Sequence, residues 1–332
     1  MRTAIVFFLV LLAISANLQA AEPTAQLVSV KKIWDQGPHN AFTDLIRFQD
    51  RWYCSFREGA GHASGAGALR VLTSADDEKW DSAALIEQKD VDLRDPKLSL
   101  MPDGRLLMVA AAAVPASRNP LKDHYSVVLT SKDAKDWSKP EKVLDSWQWL
   151  WRVTWHRGTA YGVAYQWNPK EDGTKERYGA ILAKSKDGLK YEKLAELKQA
   201  NATEATLAFD GDTMLCLQRR DNKPNSALLG VSKPPYTDWN WKDLGIYFGG
   251  PNFIRLKDGW WACGRIIENG KAQTVLCRLD VDAGKLTPAL TLPSGGDNSY
   301  AGLAWHQDQL WISYYSSHEG KSSIYLARVE TK

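Results

Sequence analysis

Polar and aromatic side chains interrupt the apolar stretches of this sequence at regular places, and their types suit one kind of ligand. Arginine presents a planar fork to carboxylates, and aromatic rings stack on the faces of sugars. Strand ends are more polar than strand middles in any protein, which is the plain alternative interpretation. The arginines, carboxylates and rings, with few lysines, instead favour a polar, anionic saccharide. The residues are His39, Asn40, Asp44, Arg57, Glu58, Arg94, Asp95, Trp151, Arg152, Tyr165, Trp167, Glu204, Arg219, Arg220, Asn252, Arg265, Asp297, Asn298, Tyr300, Tyr314, Tyr315, His318 and Glu319.

The elements that must position these side chains repeat along the chain. Each unit has an apolar or alternating strand, a turn carrying Asp or Gly, and a second strand, without sustained helical periodicity. Successive turns are about fifty residues apart, which predicts six units of four strands. The sequence therefore predicts an all-β fold, a six-bladed β-propeller. The turns contain Asp50, Asp103, Gly158, Asp210, Asp258 and Asp308.

The first and last strands predict how the ring closes. Leu27 to Trp34 forms a strand before the first unit, and the last unit ends at Ser323 to Val329. Pairing of these strands would complete the last blade and hide both edges. In such blades the start of the innermost strand and the end of the second strand lie on one face of the disc. The polar positions occupy those two places, so we expect them to converge on that face.

A shorter repeat lies inside the first one. Ser74, Ser131 and Ser185 are each followed two residues later by Asp and six residues later by Trp or Tyr. The Asp can accept hydrogen bonds from turn N–H groups while the aromatic ring plugs the blade. These turns resemble the Asp-box turns of the sialidase (neuraminidase) superfamily. Each is one residue shorter than the usual box, and the last three units lack a clear copy.

The resemblance to sialidases is most specific in the fourth and sixth units. Glu204, followed by the hairpin that ends at Arg219 and Arg220, is similar to the family segment in which a Glu opens a strand and an Arg closes the hairpin. The segment Asp297-Asn298-Ser299-Tyr300-Ala301-Gly302-Leu303 is similar to the one that carries the family's nucleophilic Tyr.

This resemblance implies roles for the matching residues. Tyr300 would attack an anomeric carbon while Glu204 takes its proton. Arg265, with Arg219 or Arg220, would hold a substrate carboxylate. A tyrosine needs such a base, because its usual pKa of about 10 leaves it a poor nucleophile near neutral pH.

The sequence departs from the sialidase pattern at two places. Where the family's first strand opens with Arg-Ile-Pro, this chain has Ala41-Phe42-Thr43, so the leading arginine is absent and Arg57 is the candidate to replace its charge. Where the family has an acidic residue in the next loop, the segment 59–65 holds no carboxylate. His62 in that loop is the candidate proton donor, because histidine titrates near neutral pH. Asp95 is the alternative acid.

Other residues are expected to line the same cavity. Asp44, Asp95, Arg152, Asn252, Tyr315 and His318 are predicted to bind substrate. Trp151 and Trp167 are candidates for a sugar platform, or ordinary contacts between blades. His39, His62 and His318 could approach one another but show no metal-ligand spacing, so no metal or other cofactor is predicted.

The N-terminus and the composition indicate an exported protein. Residues 1–20 have a basic start, a short apolar core and a small-residue exit, as a secretory signal peptide does, leaving 21–332 as one propeller domain. The net charge is +3 with mixed signs, which disfavours nucleic-acid and membrane partners. The four cysteines show no zinc spacing. Cys263 and Cys277 either pair across one hairpin or remain buried thiols.

Three functions are compatible with these features. The first is a secreted, monomeric glycoside hydrolase of sialidase-like type, releasing a terminal acidic sugar such as a sialic or uronic acid. The second is a polysaccharide lyase acting on a uronate, with His62 and a Tyr as base and acid. The third is a non-catalytic carbohydrate-binding propeller, which the missing arginine and the missing loop carboxylate would favour. Fold-level resemblance alone does not decide among them.

Overall fold

The computed structural model describes residues 24–115, 122–169 and 175–331. Over these ranges the chain forms 24 β-strands and no helix, as the sequence predicted. The described residues accordingly contain no apolar helix long enough to cross a membrane. The predicted signal peptide at residues 1–20 lies outside them.

The strands form six antiparallel blades of four, and one parallel bridge between Gly67 and Asp92 links the first two blades. Blade 1 contains β2 (His39–Phe48), β3 (Arg51–Gly59), β4 (Gly67–Ser74) and β5 (Asp81–Ile86); blade 2 contains β6 (Asp92–Leu100), β7 (Leu106–Val114), β8 (Asp123–Ser131) and β9 (Glu141–Val143). Blade 3 contains β10 (Gln148–His156), β11 (Thr159–Pro169), β12 (Lys175–Ser185) and β13 (Glu192–Leu197); blade 4 contains β14 (Ala202–Asp210), β15 (Thr213–Arg220), β16 (Leu228–Ser232) and β17 (Asn240–Asp243). Blade 5 contains β18 (Gly249–Leu256), β19 (Gly259–Glu268), β20 (Lys271–Asp280) and β21 (Lys285–Thr291); blade 6 contains β22 (Asn298–His306), β23 (Gln309–Ser316), β24 (Ser323–Thr331) and β1 (Ala25–Trp34).

The ring closes as predicted. Strand β1 pairs antiparallel with β24, from Ala25 opposite Thr331 to Trp34 opposite Ile324. The first strand among the described residues thus becomes the outer strand of the last blade. Because β1 joins the sheet of β22, β23 and β24, the last blade has its full four strands.

The innermost strands β2, β6, β10, β14, β18 and β22 stand side by side around the axis. Apolar side chains fill the space between successive blades; β7, for example, is buried along all but its last residue. A strand buried on both faces reads as a continuous apolar run, which explains the sequence of β7. This packing fixes the positions of the innermost strands relative to one another.

The three Ser-x-Asp turns have the predicted hydrogen bonds. In the second blade, Asp133 Oδ1 accepts from the N–H groups of Lys135 and Asp136, both at 2.9 Å, and Ser131 Oγ donates to it at 3.0 Å. These backbone donors lower the pKa of Asp133. The indole N–H of Trp137 donates to the carbonyl of Ala134 and closes the turn.

The cysteines are buried free thiols. Cys263 lies opposite Leu276, and Cys277 lies opposite Ala262. The two cysteines are therefore one position out of register, and their side chains leave opposite faces of the sheet and join different clusters. This settles the open alternative in favour of thiols.

Candidate active site

Each innermost strand carries a β-bulge at the same height, and these six bulges build the centre of the site. Bulges re-aim side chains and are frequent beside active sites. We call the unpaired residues the bulge ring: Phe42–Thr43, Asp95–Pro96, Trp151–Arg152, Thr203–Glu204, Gly250–Pro251 and Tyr300–Ala301.

The backbone of the bulge ring is strained at three residues with side chains. Phe42, Asp95 and Tyr300 have φ values of 66°, 53° and 54°. Non-glycine residues in this left-handed region are costly and cluster at functional sites. At the equivalent Gly250, an added Cβ would lie 2.8 Å from the Tyr300 ring, so only glycine fits.

Tyr300 and Glu204 are in direct contact, although they are 96 residues apart in sequence. The Tyr300 hydroxyl donates to Glu204 Oε1 at 2.7 Å. Arg219 Nη1 lies 2.5 and 2.6 Å from the two Glu204 oxygens and 2.9 Å from the Tyr300 hydroxyl. The N–H of Gly250 also donates to Glu204 Oε2 at 3.2 Å. A phenol, a carboxylate and a guanidinium therefore meet at one point.

The electrostatics of this pair keep the charge on the carboxylate. Burial acts to raise the pKa of Glu204, but the charge and hydrogen bonds of Arg219, with the Tyr300 and Gly250 donors, outweigh it and lower that pKa. Burial, and then the charge of Glu204, raise the pKa of Tyr300 far above its usual value. In the resting state Glu204 is ionised and Tyr300 is protonated, so the phenol becomes nucleophilic only as its proton moves to Glu204.

Arg265 and Tyr315 lie on the other side of Tyr300. The guanidinium carbon of Arg265 is 5.5 Å from the centre of the Tyr300 ring. Its Nη2 donates to Asp297 Oδ1 at 3.1 Å and to the Tyr315 hydroxyl at 3.0 Å. The Tyr315 hydroxyl donates to the same Asp297 oxygen at 2.7 Å. Asp297 thus neutralises Arg265.

The second oxygen of Asp297 faces two histidines. His62 Nδ1 lies 2.7 Å from Asp297 Oδ2, and His39 Nε2 lies 3.4 Å from it. Burial acts to raise the pKa of Asp297, but hydrogen bonds from His39, His62 and Tyr315 hold it far below its usual range. The three ligand-type atoms lie within 4.8 Å of one another, a donor set that a divalent ion accepts, although no metal was predicted. His39 and His62 meet here as expected from the sequence.

Aromatic rings surround the reacting pair. The ring of Phe42 is 5.1 Å from that of Tyr300, 5.1 Å from His62 and 5.4 Å from Tyr315. Trp151 lies 5.5 Å from Tyr300. It is only 2% exposed and packs within the core, so its role as a sugar platform stays a prediction.

Below the bulge ring, a buried lysine occupies the axis. Lys97 is 1% exposed and donates to the carbonyls of Phe42 and Thr43, at 3.3 and 2.7 Å. Its ammonium is 5.0 Å from the centre of the Trp151 ring. Burial, and then the charge of Arg152, lower the pKa of Lys97 to about 8. The Lys97 amine therefore links the bulge at Phe42 and Thr43 to the bulge at Trp151.

Asp95 belongs to the bulge ring and is buried at 5% exposure. Burial raises its pKa, against the charges of Arg94 and Lys97. Its place beside Glu204 and Tyr300 agrees with the predicted location. Whether it binds substrate stays a prediction.

Arg57 and Arg220 were predicted to bind substrate, but their guanidinium groups bind other residues of the protein. Arg57 is fully buried, with Nε and Nη2 on Asp92 at 2.7 and 3.0 Å and Nη1 on the Gly61 carbonyl at 2.7 Å. It therefore anchors the loop that carries His62, because its whole guanidinium faces protein. Arg220 points to the opposite face of β15 from Arg219 and binds Asp243 and Ser226. Adjacent strand residues face opposite ways, so only Arg219 reaches the site.

Asp44 and Arg152 were also predicted to bind substrate but bind each other. Arg152 Nη1 lies 2.8 and 2.9 Å from the Asp44 oxygens, and Asp44 Oδ2 also accepts the N–H of Leu98. Arg152 lines a cavity of about 500 Å³ at the far ends of the innermost strands. The ion pair between Asp44 and Arg152 therefore lies between innermost strands, on the side of the bulge ring away from Tyr300.

The remaining corrections concern Asn252 and His318, and Trp167 takes one of its two predicted roles. Asn252 donates to the Ala301 carbonyl at 3.0 Å and joins blade 5 to blade 6. His318 contacts Ser316 and the Tyr325 ring, outside the group formed by the other two histidines. Trp167 packs on His124 of blade 2 and Trp149 of blade 3, which is the contact between blades that was one of its two predicted roles. The places of these residues along their strands predicted the site face, but their side chains contact other protein groups.

Three residues of the site had no assigned role in the sequence-based prediction. Asp297 immediately precedes the strand of Tyr300, and only that place in the sequence indicated that it belongs to the site. Phe42 lies where the sequence departs from the sialidase pattern, which marked the position but not its contact with Tyr300. Lys97 lies between the apolar Pro96 and Leu98 in β6, and only the closure of the ring explains its partners.

Comparison of the sequence with protein-family models and with curated proteins gives no match. Similar solved structures include a protein of unknown function from Dyadobacter fermentans, with 16% identity and a TM-score of 0.79 over 94% of this chain and 100% of that one. The α-L-arabinofuranosidase of Fusarium graminearum has 12% identity and a TM-score of 0.70, over 92% and 98%. Trypanosoma rangeli sialidase has 11% identity and a TM-score of 0.65; the chain spans 59% of its length, with 92% of this chain covered. At these identities the likeness concerns the fold alone, and it is the sialidase-like β-propeller.

Proposed function

We propose that this chain is an exported, monomeric glycosidase that releases a terminal sugar with retention of configuration, using Tyr300 as nucleophile. The observation that carries the proposal is the 2.7 Å hydrogen bond from Tyr300 to Glu204, with Arg219 on both groups. A phenol in contact with an ionised carboxylate and a cation is an activated nucleophile. The names of two structural neighbours, an arabinofuranosidase and a sialidase, support glycoside chemistry on this fold.

In the first step, the Tyr300 oxygen bonds to the anomeric carbon and its proton passes to Glu204 Oε1. The bond from the anomeric carbon to the leaving oxygen breaks. His62 donates a proton to that oxygen from Nε2, while Asp297 holds Nδ1. Arg219, 2.9 Å from the phenol oxygen, stabilises the charge that develops there.

In the second step, water attacks the anomeric carbon of the glycosyl-tyrosine. His62 takes the proton of the water, the bond to the Tyr300 oxygen breaks, and Glu204 returns its proton to the phenol. The site is restored, and two displacements leave the configuration unchanged. His62 suits both roles because its side chain is 54% exposed and reaches solvent.

The test is a trapped intermediate. The mature protein is screened on a panel of aryl glycosides, and the sugar it hydrolyses best is then supplied as its activated 2-deoxy-2-fluoro derivative. Digestion and mass spectrometry should place the adduct on Tyr300, and Tyr300→Phe should form none. An adduct on Glu204 would contradict the assignment of the nucleophile.

The same screen separates the alternatives. A lyase would release an unsaturated product that absorbs in the ultraviolet, and a binding propeller would bind sugar without turnover. A lyase also needs a free cation beside the reacting carbon to neutralise a uronate, whereas Arg219 and Arg265, the guanidinium groups next to Tyr300, both have carboxylate partners. The site therefore favours hydrolysis over elimination.

A further inference from the structure

We infer that the sugar released is an aldose, whose anomeric carbon bears a hydrogen, and not an ulosonic acid, whose anomeric carbon bears a carboxylate. This inference rests on the glycosidase function proposed above and specifies its substrate class. It follows from two features of the site: an apolar wall beside Tyr300, and arginines that already have carboxylate partners.

The wall is the side chain of Phe42. It sits in the bulge of β2 with φ 66°, is 2% exposed, and packs against Tyr300, His62 and Tyr315 at 5.1 to 5.4 Å. A carboxylate on the reacting carbon would have to leave water beside a benzene ring that offers no hydrogen bond. Burying an unpaired charge is strongly unfavourable. An aldose would present a C–H group there instead, which an aromatic surface accepts.

The cations next to Tyr300 are already neutralised. Arg219 is bound by both oxygens of Glu204, and its Nη2 lies 2.7 Å from Asp221. Arg265 is bound by Asp297 and Tyr315. A substrate carboxylate could reach either guanidinium only by displacing a partly buried partner, which would leave that partner's charge unpaired.

Arg94 is a third arginine on this face. Its position limits the inference to the substituent on the anomeric carbon. Arg94 lies over the Phe42 ring at 5.3 Å and donates to the His62 carbonyl at 3.0 Å. Phe42 contacts both Arg94 and Tyr300. An acidic group elsewhere on an aldose, as in a uronic acid, could meet Arg94 without approaching the wall.

The experiment compares two panels with the full mature protein. One panel holds aryl aldosides, including arabinofuranosides and glucuronides; the other holds aryl ketosides of sialic acid and of a second ulosonic acid. We expect kcat/KM for the best aldoside to exceed that for the best ketoside by at least about a hundredfold, as for a site that leaves a polar group unpaired. A smaller ratio, or a better ketoside, overturns the inference. If that ketoside hydrolysis depends on Tyr300, the glycosidase proposal stays intact. If neither panel is hydrolysed, both the glycosidase proposal and the inference about the substrate are overturned.

A pair of variants tests the wall itself. Phe42→Ala should lower the aldoside-to-ketoside ratio by at least about tenfold, and Phe42→Leu, which keeps an apolar side chain, should preserve it. Binding of the free ulosonic acid, followed by calorimetry, should be undetectable in the native protein and measurable in Phe42→Ala. An unchanged ratio together with unchanged binding would show that Phe42 does not exclude the carboxylate and would overturn the inference.

Discussion

The outer Ser-x-Asp turns and the bulge ring differ in how their contacts are made. In the turns, each hydrogen bond joins residues two or three positions apart, as from the Ala134 N–H to Ser131 Oγ. In the bulge ring, Tyr300 meets Glu204 across 96 residues, and His62 meets Asp297 across 235. The turns therefore depend on local sequence, whereas the site exists only when the ring is closed. Changes at the two places should affect stability and activity separately.

The largest effect is expected at the centre of the bulge ring. Glu204→Gln removes the proton acceptor of Tyr300 and leaves the charge of Arg219 without its main partner. We expect kcat to fall by about a thousandfold, within the range of lost general base catalysis. Steady-state hydrolysis of the best aryl glycoside measures it. Tyr300→Phe should cost as much, and a double variant little more, because the two groups act as one unit. Additive losses would contradict that coupling.

Two neighbouring arginines give a matched comparison. Arg219→Met removes a donor 2.9 Å from the Tyr300 hydroxyl and should lower kcat by about a hundredfold. Arg220→Met removes the bonds to the half-exposed Asp243 and to Ser226 and leaves the bulge ring intact, so it should cost about 2 kcal/mol of unfolding free energy. Activity assays and urea denaturation of both variants measure these effects. Equal losses of activity would contradict the opposite orientations of the two side chains.

The fold was largely predictable because its signals are local. The turns at Asp210 and Asp258 end their strands in the described chain as predicted, and the lone strand around Leu27 to Trp34 pairs with the last strand. Each of these inferences needed only alternation of apolar residues and turn chemistry within a short segment. The closing strand needed one more step, since an unpaired edge must be covered.

The site was predictable in position and not in detail. Glu204, Arg219, Tyr300 and His62 converge as their strand positions suggested. Arg57, however, has the same side-chain type and a similar strand position, yet Asp92 and the loop carbonyl of Gly61 take its guanidinium. Which arginine remains near the nucleophile depends on which carboxylate a neighbouring blade supplies. Sequence position does not contain that information.

Lys97 allows a test by pH. Burial, and then the charge of Arg152, lower its pKa from 10.5 to about 8, against the opposing effects of Asp44, Asp95 and Glu204. Between about pH 8 and 10.5 the unfolded chain binds more protons at this residue than the folded chain, so its contribution to stability rises with pH. The unfolding free energy of the native protein relative to Lys97→Met should therefore increase across this window. Urea denaturation at several pH values measures the difference.

The comparison with Lys97→Met is needed because other groups titrate nearby. Burial raises the pKa of the Cys54 and Cys216 thiols, which makes the stability of both proteins fall above about pH 9. Both proteins therefore carry Cys54→Ala, because the charge of Lys97 lowers the pKa of Cys54 and its removal would change that titration. The fall from Cys216 is then common to the two proteins and cancels in the difference. A difference that is flat from pH 8 to 10.5 would show that Lys97 is not a depressed amine in the folded chain.

The smallest effect is expected at the outer turns. Ser131→Ala removes an acceptor of the Ala134 N–H at 2.8 Å and a donor to Asp133, and should lower the unfolding free energy by about 1 kcal/mol. Lys132→Ala, an exposed change in the same turn, is the control and should have little effect. Because Ser131 makes no contact with the bulge ring, kcat/KM should stay within about twofold of the native value. A larger loss of activity from Ser131→Ala would mean that the turns act on the site through the blade, and that local stability and catalysis are coupled in this propeller.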